Sequence, residues 1–277
     1  MKQELIQELK RVFRQCEGNH VMIAETEDQA GAKLDMFDEP LIGFASASDS
    51  VFEDFKNPEV IGPFYQTPKE WLPEAKTVIS FFLPFTEQVR VSNRADKELP
   101  SIEWLYSRIE GQSFITDYMR AVADILAEQG MKVCVPSSDP RFGVIRDEIK
   151  EGDTVVDFHV ESKWSERHAA YACGLGTFGL SRGLITKSGM AGRYASIIID
   201  AEIEPDERPY TGVYDYCTRC GACIHKCPVK AISLEYGKNN IKCSNYVDLM
   251  GERFSPRYGC GKCQTGVPCE NRIPAVK

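Results

Sequence analysis

Apolar residues at Leu5, Ile6, Leu9, Val12, Phe13 and Cys16 recur at helical spacing, so the chain opens on an amphipathic helix that lays one face on a body. Leu41-Ile-Gly-Phe-Ala45 reads as a short buried strand. Thr77-Val-Ile-Ser-Phe-Phe-Leu83 is a stronger one, β-branched and aromatic, bounded by Pro73 and Pro84. Across residues 104–129 the positions Leu105, Ile109, Tyr118, Met119, Val122, Ile125 and Leu126 mark a helical face. Gly111 is a point where that helix could divide in two, and Gly130 supplies its stop. Residues 131–135, 155–160 and 194–199 read as further strands, the last the most apolar. Helices alternating with strands over residues 1–210 predict an α/β or α+β body with one main sheet. The polar, Pro-containing stretch 202–211 reads as a linker.

Composition adds a boundary. The 277 residues are 43% hydrophobic and 27% charged, an ordinary globular balance, with a formal net charge of -8 that disfavours a general nucleic-acid binder. Of eleven cysteines, eight lie between Cys217 and Cys269, leaving only Cys16, Cys134 and Cys173 elsewhere. From Cys217 onward ten Lys and Arg face four Asp and Glu, net +6, whereas the rest, 23 against 37, carries -14. A body over 1–210 and a cysteine module over 211–277 are therefore expected. The N-terminus has no apolar signal core, and no run is long enough to span a membrane, so a cytoplasmic chain with reduced thiols is expected. In that setting clustered cysteines read as metal ligands before disulfides.

Cys217-x2-Cys220-x2-Cys223-x3-Cys227-Pro228 carries the most specific chemistry. Three cysteines on one tight loop can reach three corners of a cubane iron–sulfur cluster, and the fourth, carried onward, reaches a second cluster. Cys243, Cys260, Cys263 and Cys269 complete eight thiolates for two [4Fe–4S] clusters. The expected sets are Cys217, Cys220, Cys223 and Cys269 on one, and Cys227, Cys243, Cys260 and Cys263 on the other. Paired C-x2-C motifs also bind zinc, but zinc has no use for a third cysteine at the same spacing or for the proline. His225, inside the loop, reads as a surface residue. Lys226, Lys230, Lys242, Arg257 and Lys262 either offset cluster charge and help set the potential, or form a solvated basic face.

The second dense segment runs Val160-Glu-Ser-Lys-Trp-Ser-Glu-Arg-His168-Ala-Ala-Tyr-Ala-Cys-Gly-Leu-Gly-Thr-Phe-Gly179. It reads as a strand end, a helix over 165–173 and a glycine turn. Its G-x-G-x-x-G follows a helix instead of a strand, so the dinucleotide geometry is not set up. Close glycines permit close approach of backbone to a flat ligand, or simply make a turn. His168 could face a ligand or sit capped at the surface. His159 reads as a core or edge residue, Cys173 as cofactor-facing or a small apolar residue, and Arg182 and Arg193 as cofactor contacts or partners of surface acids.

These motifs, with Leu184-Ile185 following, resemble the core of epoxyqueuosine reductases and their reductive-dehalogenase relatives, and the cysteine spacings continue the resemblance in order. The resemblance spans roughly residues 35–270. It implies a nitroreductase-like body that binds cobalamin, followed by a bacterial-ferredoxin-like two-cluster module. It further implies base-off cobalamin held partly by the backbone of Gly174, Leu175, Gly176, Thr177, Phe178 and Gly179, with super-reduced cobalt as the working group; Ser162 and His168 are further candidate cofactor contacts. Glu161 stands where that family has an aspartate read as proton donor. Leu180 stands in place of a lysine, and Cys269 follows Cys263 by five residues instead of three. The chain stops at Lys277 without the family's C-terminal helical repeat and its body is acidic, so a tRNA substrate is not expected, and the absence of a twin-arginine signal weighs against a respiratory dehalogenase.

The resulting expectation is an enzyme, an iron–sulfur oxidoreductase passing electrons from an external low-potential donor to a cofactor for reduction of a small molecule or corrinoid. An electron-transfer protein without organic cofactor and an FMN-containing reductase are the alternatives.

Overall fold

The computed structural model describes residues 2–23 and 31–275. The chain runs α1 (Lys2–Gln15), β1 (His20–Ile23), β2 (Ala32–Asp35), β3 (Leu41–Ser46), α2 (Val51–Asp54), α3 (Pro68–Trp71), β4 (Thr77–Pro84), α4 (Glu87–Ala95), α5 (Ile102–Glu128) and β5 (Val133–Cys134). It continues through β6 (Val144–Glu151), β7 (Thr154–Ser162), α6 (Glu166–Ala172), β8 (Gly176–Phe178), β9 (Leu184–Thr186) and β10 (Gly192–Ile199). Then come α7 (Ala222–Lys226), β11 (Ile232–Ser233), β12 (Gly237–Lys238) and α8 (Asn240–Phe254).

The main sheet is antiparallel, in the order β3-β4-β10-β5. All eight residues of β4 are buried, because both faces of this central strand are covered. Strand alternation sorts them. Ile79, Phe81 and Leu83 join Ala195 and Ile197 of β10 under Leu9 of α1 and Phe114, Tyr118 and Val122 of α5. Val78 and Ile198 face the other way, onto Phe52, Tyr65, Trp164 and Ala169. Helices thus cover both faces, and α6 lies on the second face close to the cysteine module.

Gly111 does not divide α5, which is continuous. A Cβ there would stand 2.9 Å from Cζ of Phe37, so the glycine makes room for a close ring. Residues 155–160 form a strand, but outside the main sheet. Among the described residues β7 pairs only with β6, in a hairpin whose β6 is exposed throughout.

The stretch 202–211 is irregular, as its composition indicates, yet pinned. Asp206 accepts from the Phe44 N–H at 3.0 Å and its own N–H donates to the Phe44 carbonyl. Tyr210 Oη donates to the Tyr171 carbonyl at 2.6 Å. Beyond it, α8 docks on β7: Asp157 Oδ1 accepts from the N–H groups of Asn240 and Ile241, a carboxylate at a helix N-terminus. Asn240 Nδ2 donates to the Phe158 carbonyl at 2.8 Å. The strand over 155–160, read as one more strand of the body, thus carries α8 of the module.

Candidate metal centres and cofactor cleft

The Cys217–Cys227 loop turns on Gly221, which has φ +75° at the N-cap of α7, and on Arg219, with φ +49°. That bend draws Cys217, Cys220 and Cys223 around one cavity, and α7 carries Cys227 away from it. Cys269 joins the first three. Cys227, Cys243, Cys260 and Cys263 line a second cavity, beside Trp104 and Arg108. Each expected set of four thiols therefore rings its own space. Among the described residues no three Cys, His, Asp or Glu side chains converge on a single-ion site.

The two rings differ in depth. Cys220 is the exposed cysteine of the eight. Burial pushes the Cys223, Cys260 and Cys269 thiols up to about 12, and raises Cys263. Bare thiolates are costly in such surroundings, and a cationic iron core repays that cost. The Ala231 N–H donates to Cys227 Sγ at 3.2 Å, the kind of amide-to-sulfur bond that tunes a cluster. His225 is exposed and lines neither ring.

Between β7, α6 and α8 lies a cleft of 680 Å³, within the range of small-molecule and cofactor sites. Ser162, His168 and Phe178 line it, together with His159, Arg182 and Asn240. His168 lies between Phe55, edge-on at 5.0 Å, and Phe178, tilted at 4.8 Å, and its Nδ1 meets Ser165 Oγ at 2.7 Å. Burial, then Arg167, depresses its pKa to about 3, so the imidazole is neutral. His159 Nε2–H donates to the Ile61 carbonyl at 2.9 Å.

Most of the glycine turn is committed to the protein's own backbone. Gly174 has φ +75° after α6, and a Cβ on it would stand 2.9 Å from the Glu207 carbonyl oxygen. A Cβ on Gly176 would stand 2.0 Å from the Ile185 oxygen, so this glycine allows β8 to pair with β9. Leu175 is buried with Phe82 and Leu184, and Thr177 Oγ1 accepts from the Tyr216 N–H at 2.9 Å. None of these four lines the cleft. The turn instead forms a wall: Phe178 faces the cleft, and Gly179 lines the first thiol ring. Arg167 is shared in the same way by the cleft and the second ring.

Glu161 is 8% exposed, with its carboxylate turned toward the loop over 61–64. Oε2 accepts from the Phe64 N–H at 2.9 Å, and a Cβ on Gly62 would stand 2.3 Å from the Glu161 carboxyl carbon. Its neighbours Val160 and Ser162 line the cleft. Cys173 is fully buried and donates to the Val78 carbonyl, a small core residue.

Sequence reasoning passed over Glu166. Its Oε2 accepts from Ser196 Oγ at 2.5 Å, and Ser196 in turn accepts from Trp164 Nε1 at 2.8 Å. Oε1 is buried without a hydrogen-bond partner, beside a second cavity of 280 Å³ that Arg193 also lines. Burial raises the Glu166 carboxyl to about 7 and lowers Arg193 to about 10. An acidic residue in the first turn of a helix looks like ordinary dipole compensation, so nothing in the sequence singled it out.

A family model described as a 4Fe-4S binding domain matches residues 210–233. A tetrachloroethene reductive dehalogenase of Desulfitobacterium hafniense is 33% identical over 111 residues, 38% of this chain and 20% of that protein. An epoxyqueuosine reductase of Francisella cf. novicida is 28% identical over 147 residues, 48% of this chain and 40% of that protein. Among solved structures, epoxyqueuosine reductase from Bacillus subtilis superposes with a TM-score of 0.51 at 19% identity, covering 99% of this chain and 66% of that one. A catabolic reductive dehalogenase in complex with 3-bromo-4-hydroxybenzoic acid gives 0.54 at 13% identity, covering 99% and 37%. The chain shares the fold of epoxyqueuosine reductases and reductive dehalogenases. It spans less than half the length of these two curated relatives. The fold is mixed α/β with a C-terminal iron–sulfur domain, and no helix among the described residues is long and apolar enough to cross a membrane.

Proposed function

We propose that this chain is an iron–sulfur oxidoreductase: a nitroreductase-like body over 1–210 holds a cofactor, and a module over 211–277 holds two [4Fe–4S] clusters that supply it with electrons. One observation carries the reading: each thiol ring shares a wall with the cleft, the first through Phe178-Gly179 and the second through Arg167. The four thiols around each ring match the donor set of a [4Fe–4S] cluster, which supplies low-potential one-electron transfer when bound. The exposure of Cys220 supports the first ring as the one that receives electrons from an external donor.

The cleft suits a flat cofactor. Phe178 and the neutral His168 offer an apolar platform, while Ser162, Arg182 and Asn240 offer polar contacts at its edges. We take cobalamin as the occupant, its super-reduced cobalt supplying the reducing or nucleophilic chemistry, and a small molecule or corrinoid as the substrate. Glu161 is the candidate proton donor, and to act it must exchange its bond from the Phe64 N–H for one toward the cleft. The resemblance to cobalamin-using reductases and the shared fold support this choice over FMN.

Anaerobic spectral titration with hydroxocobalamin and with FMN tests the occupant. Cobalamin should bind near one per chain, and Ser162→Trp, which fills the cleft wall, should weaken it by about tenfold or more. FMN binding alone would move the reading to a flavin reductase. Binding of neither would sink the enzyme reading and leave an electron-transfer protein.

A further inference from the structure

The module's five candidate counter-charges are not equivalent. Arg257 is paired with Glu110. Lys230 and Lys242 are exposed, and Lys226 is half-buried. Lys262 is 2% exposed, the buried one of the five. It lies between Cys260 and Cys263 in sequence and begins a 3₁₀ turn (Lys262–Gln264) whose Cys263 and Gln264 line the second ring, while its own side chain turns away from that cavity toward α4. Its Nζ donates to the Asn93 carbonyl at 2.7 Å and the Asp96 carbonyl at 2.9 Å, both at the C-terminal end of α4. These acceptors are neutral. Among the described residues no carboxylate stands within ion-pair distance of it.

A buried ammonium held only by carbonyls is expensive, and a helix C-terminus offsets part of that cost. Apart from the Asp96 carboxylate, which lies beyond ion-pair distance, the anionic partner available is the second ring, whose Cys260 thiol bears on Lys262 most strongly. Four thiolates on a [4Fe–4S] core carry a net charge of about -2, and uptake of one electron makes it more negative. A fixed cation nearby stabilises the reduced form more than the oxidised form. We propose that Lys262 is the built-in counter-charge of the second cluster and raises that cluster's reduction potential. The inference rests on the two-cluster reading. It makes electron flow inward, from the exposed first ring to the ring beside Arg167, the favourable direction.

The test is a redox titration of the anaerobically reconstituted full chain followed by EPR, with the two signals assigned through Cys227→Ala. Lys262→Gln keeps a donor for the carbonyls and removes the charge. It should lower the second potential by about tenfold in the reduction equilibrium, about 59 mV for one electron, with the first potential and the iron content unchanged. Lys262→Arg should keep the wild-type potential. Lys242→Gln removes an exposed charge beside Cys243 and should shift it by less than about twofold.

Full iron content with unmoved potentials in Lys262→Gln would overturn the proposal. If Lys262→Gln loses the second cluster, the arginine variant decides: retention of iron there supports the charge, and loss in both variants assigns Lys262 to shape alone and overturns it. A wild-type chain that takes up only about four iron counts against the two-cluster reading, not against Lys262.

Discussion

Trp104 of α5 lies directly against Gly261, between two cysteines of the second thiol ring: a Cβ on Gly261 would stand 2.0 Å from the indole Cζ2. Gly261 also has φ +70°. The body's longest helix therefore forms part of the ring that the module's cysteines complete, and the two cannot shift independently.

Gly261→Ala should accordingly do more than remove flexibility. Left-handed backbone costs a residue with a Cβ roughly 1–2 kcal/mol, and overpacking a buried ring adds about 1–3 kcal/mol. Thermal unfolding should show a loss of that order, and iron uptake should fall selectively at the second ring. Adding Trp104→Ala should restore part of the iron. A single variant with wild-type stability and iron would show that the contact is slack.

The pairing of cysteines predicts separable losses. Cys227→Ala should remove the cluster ringed with Cys243, Cys260 and Cys263, and leave the EPR signal of the other. Cys269→Ala should do the reverse, although it lies only six residues after Cys263. Loss of the same signal in both variants would contradict the two rings.

Glu270 holds the last cysteine in place. Its carboxylate is 2% exposed and pairs with Arg90 at 3.3 Å and with Arg94, while the Cys269 and Glu270 carbonyls accept from the Met190 N–H. Glu270→Gln leaves Arg90, 11% exposed, without its carboxylate. A loss of about 2 kcal/mol in denaturant unfolding is expected, less than for a fully buried pair because Arg94 reaches water. The first cluster should also be lost faster to a chelator than the second.

The neutral His168 gives the body an acid-sensitive term. Its folded pKa, about 3, lies below the ordinary 6.5, so the unfolded chain takes up a proton first as pH falls. Its contribution is full above pH 6.5 and is lost on acidification, at a slope of at most about 1.4 kcal/mol per pH unit. His168→Gln removes the term. Stability curves of wild type and variant should run parallel above pH 7 and converge, or cross in favour of the variant, toward pH 5. Parallel curves throughout would contradict the depressed imidazole pKa.

Much of this was legible where one face of an element decides its place. Leu5, Leu9, Val12 and Phe13 sit buried on α1 as the periodicity implies, and the wholly apolar β4 is the covered central strand. The cysteine spacing was legible because three thiols on one loop have few arrangements, and the structure gathers the eight as two rings. The glycine turn was harder. A missing Cβ looks the same in sequence whether a ligand or the protein's own Ile185 carbonyl approaches it, and here the protein does. β6 was missed because VIRDEIKE, exposed along its length, has no buried face to write an alternation. The α8 helix was missed as well, since only Met250 of its fifteen residues is fully buried.

The most direct test of the central claim is the visible spectrum of anaerobically purified protein, before and after acid, with iron and sulfide counted. The account predicts about eight iron and eight sulfide per chain, broad absorption that acid bleaches, and corrinoid bands either released into the supernatant or acquired when cobalamin is added. Iron and sulfide alone, with neither cobalamin nor FMN bound on addition, would contradict it.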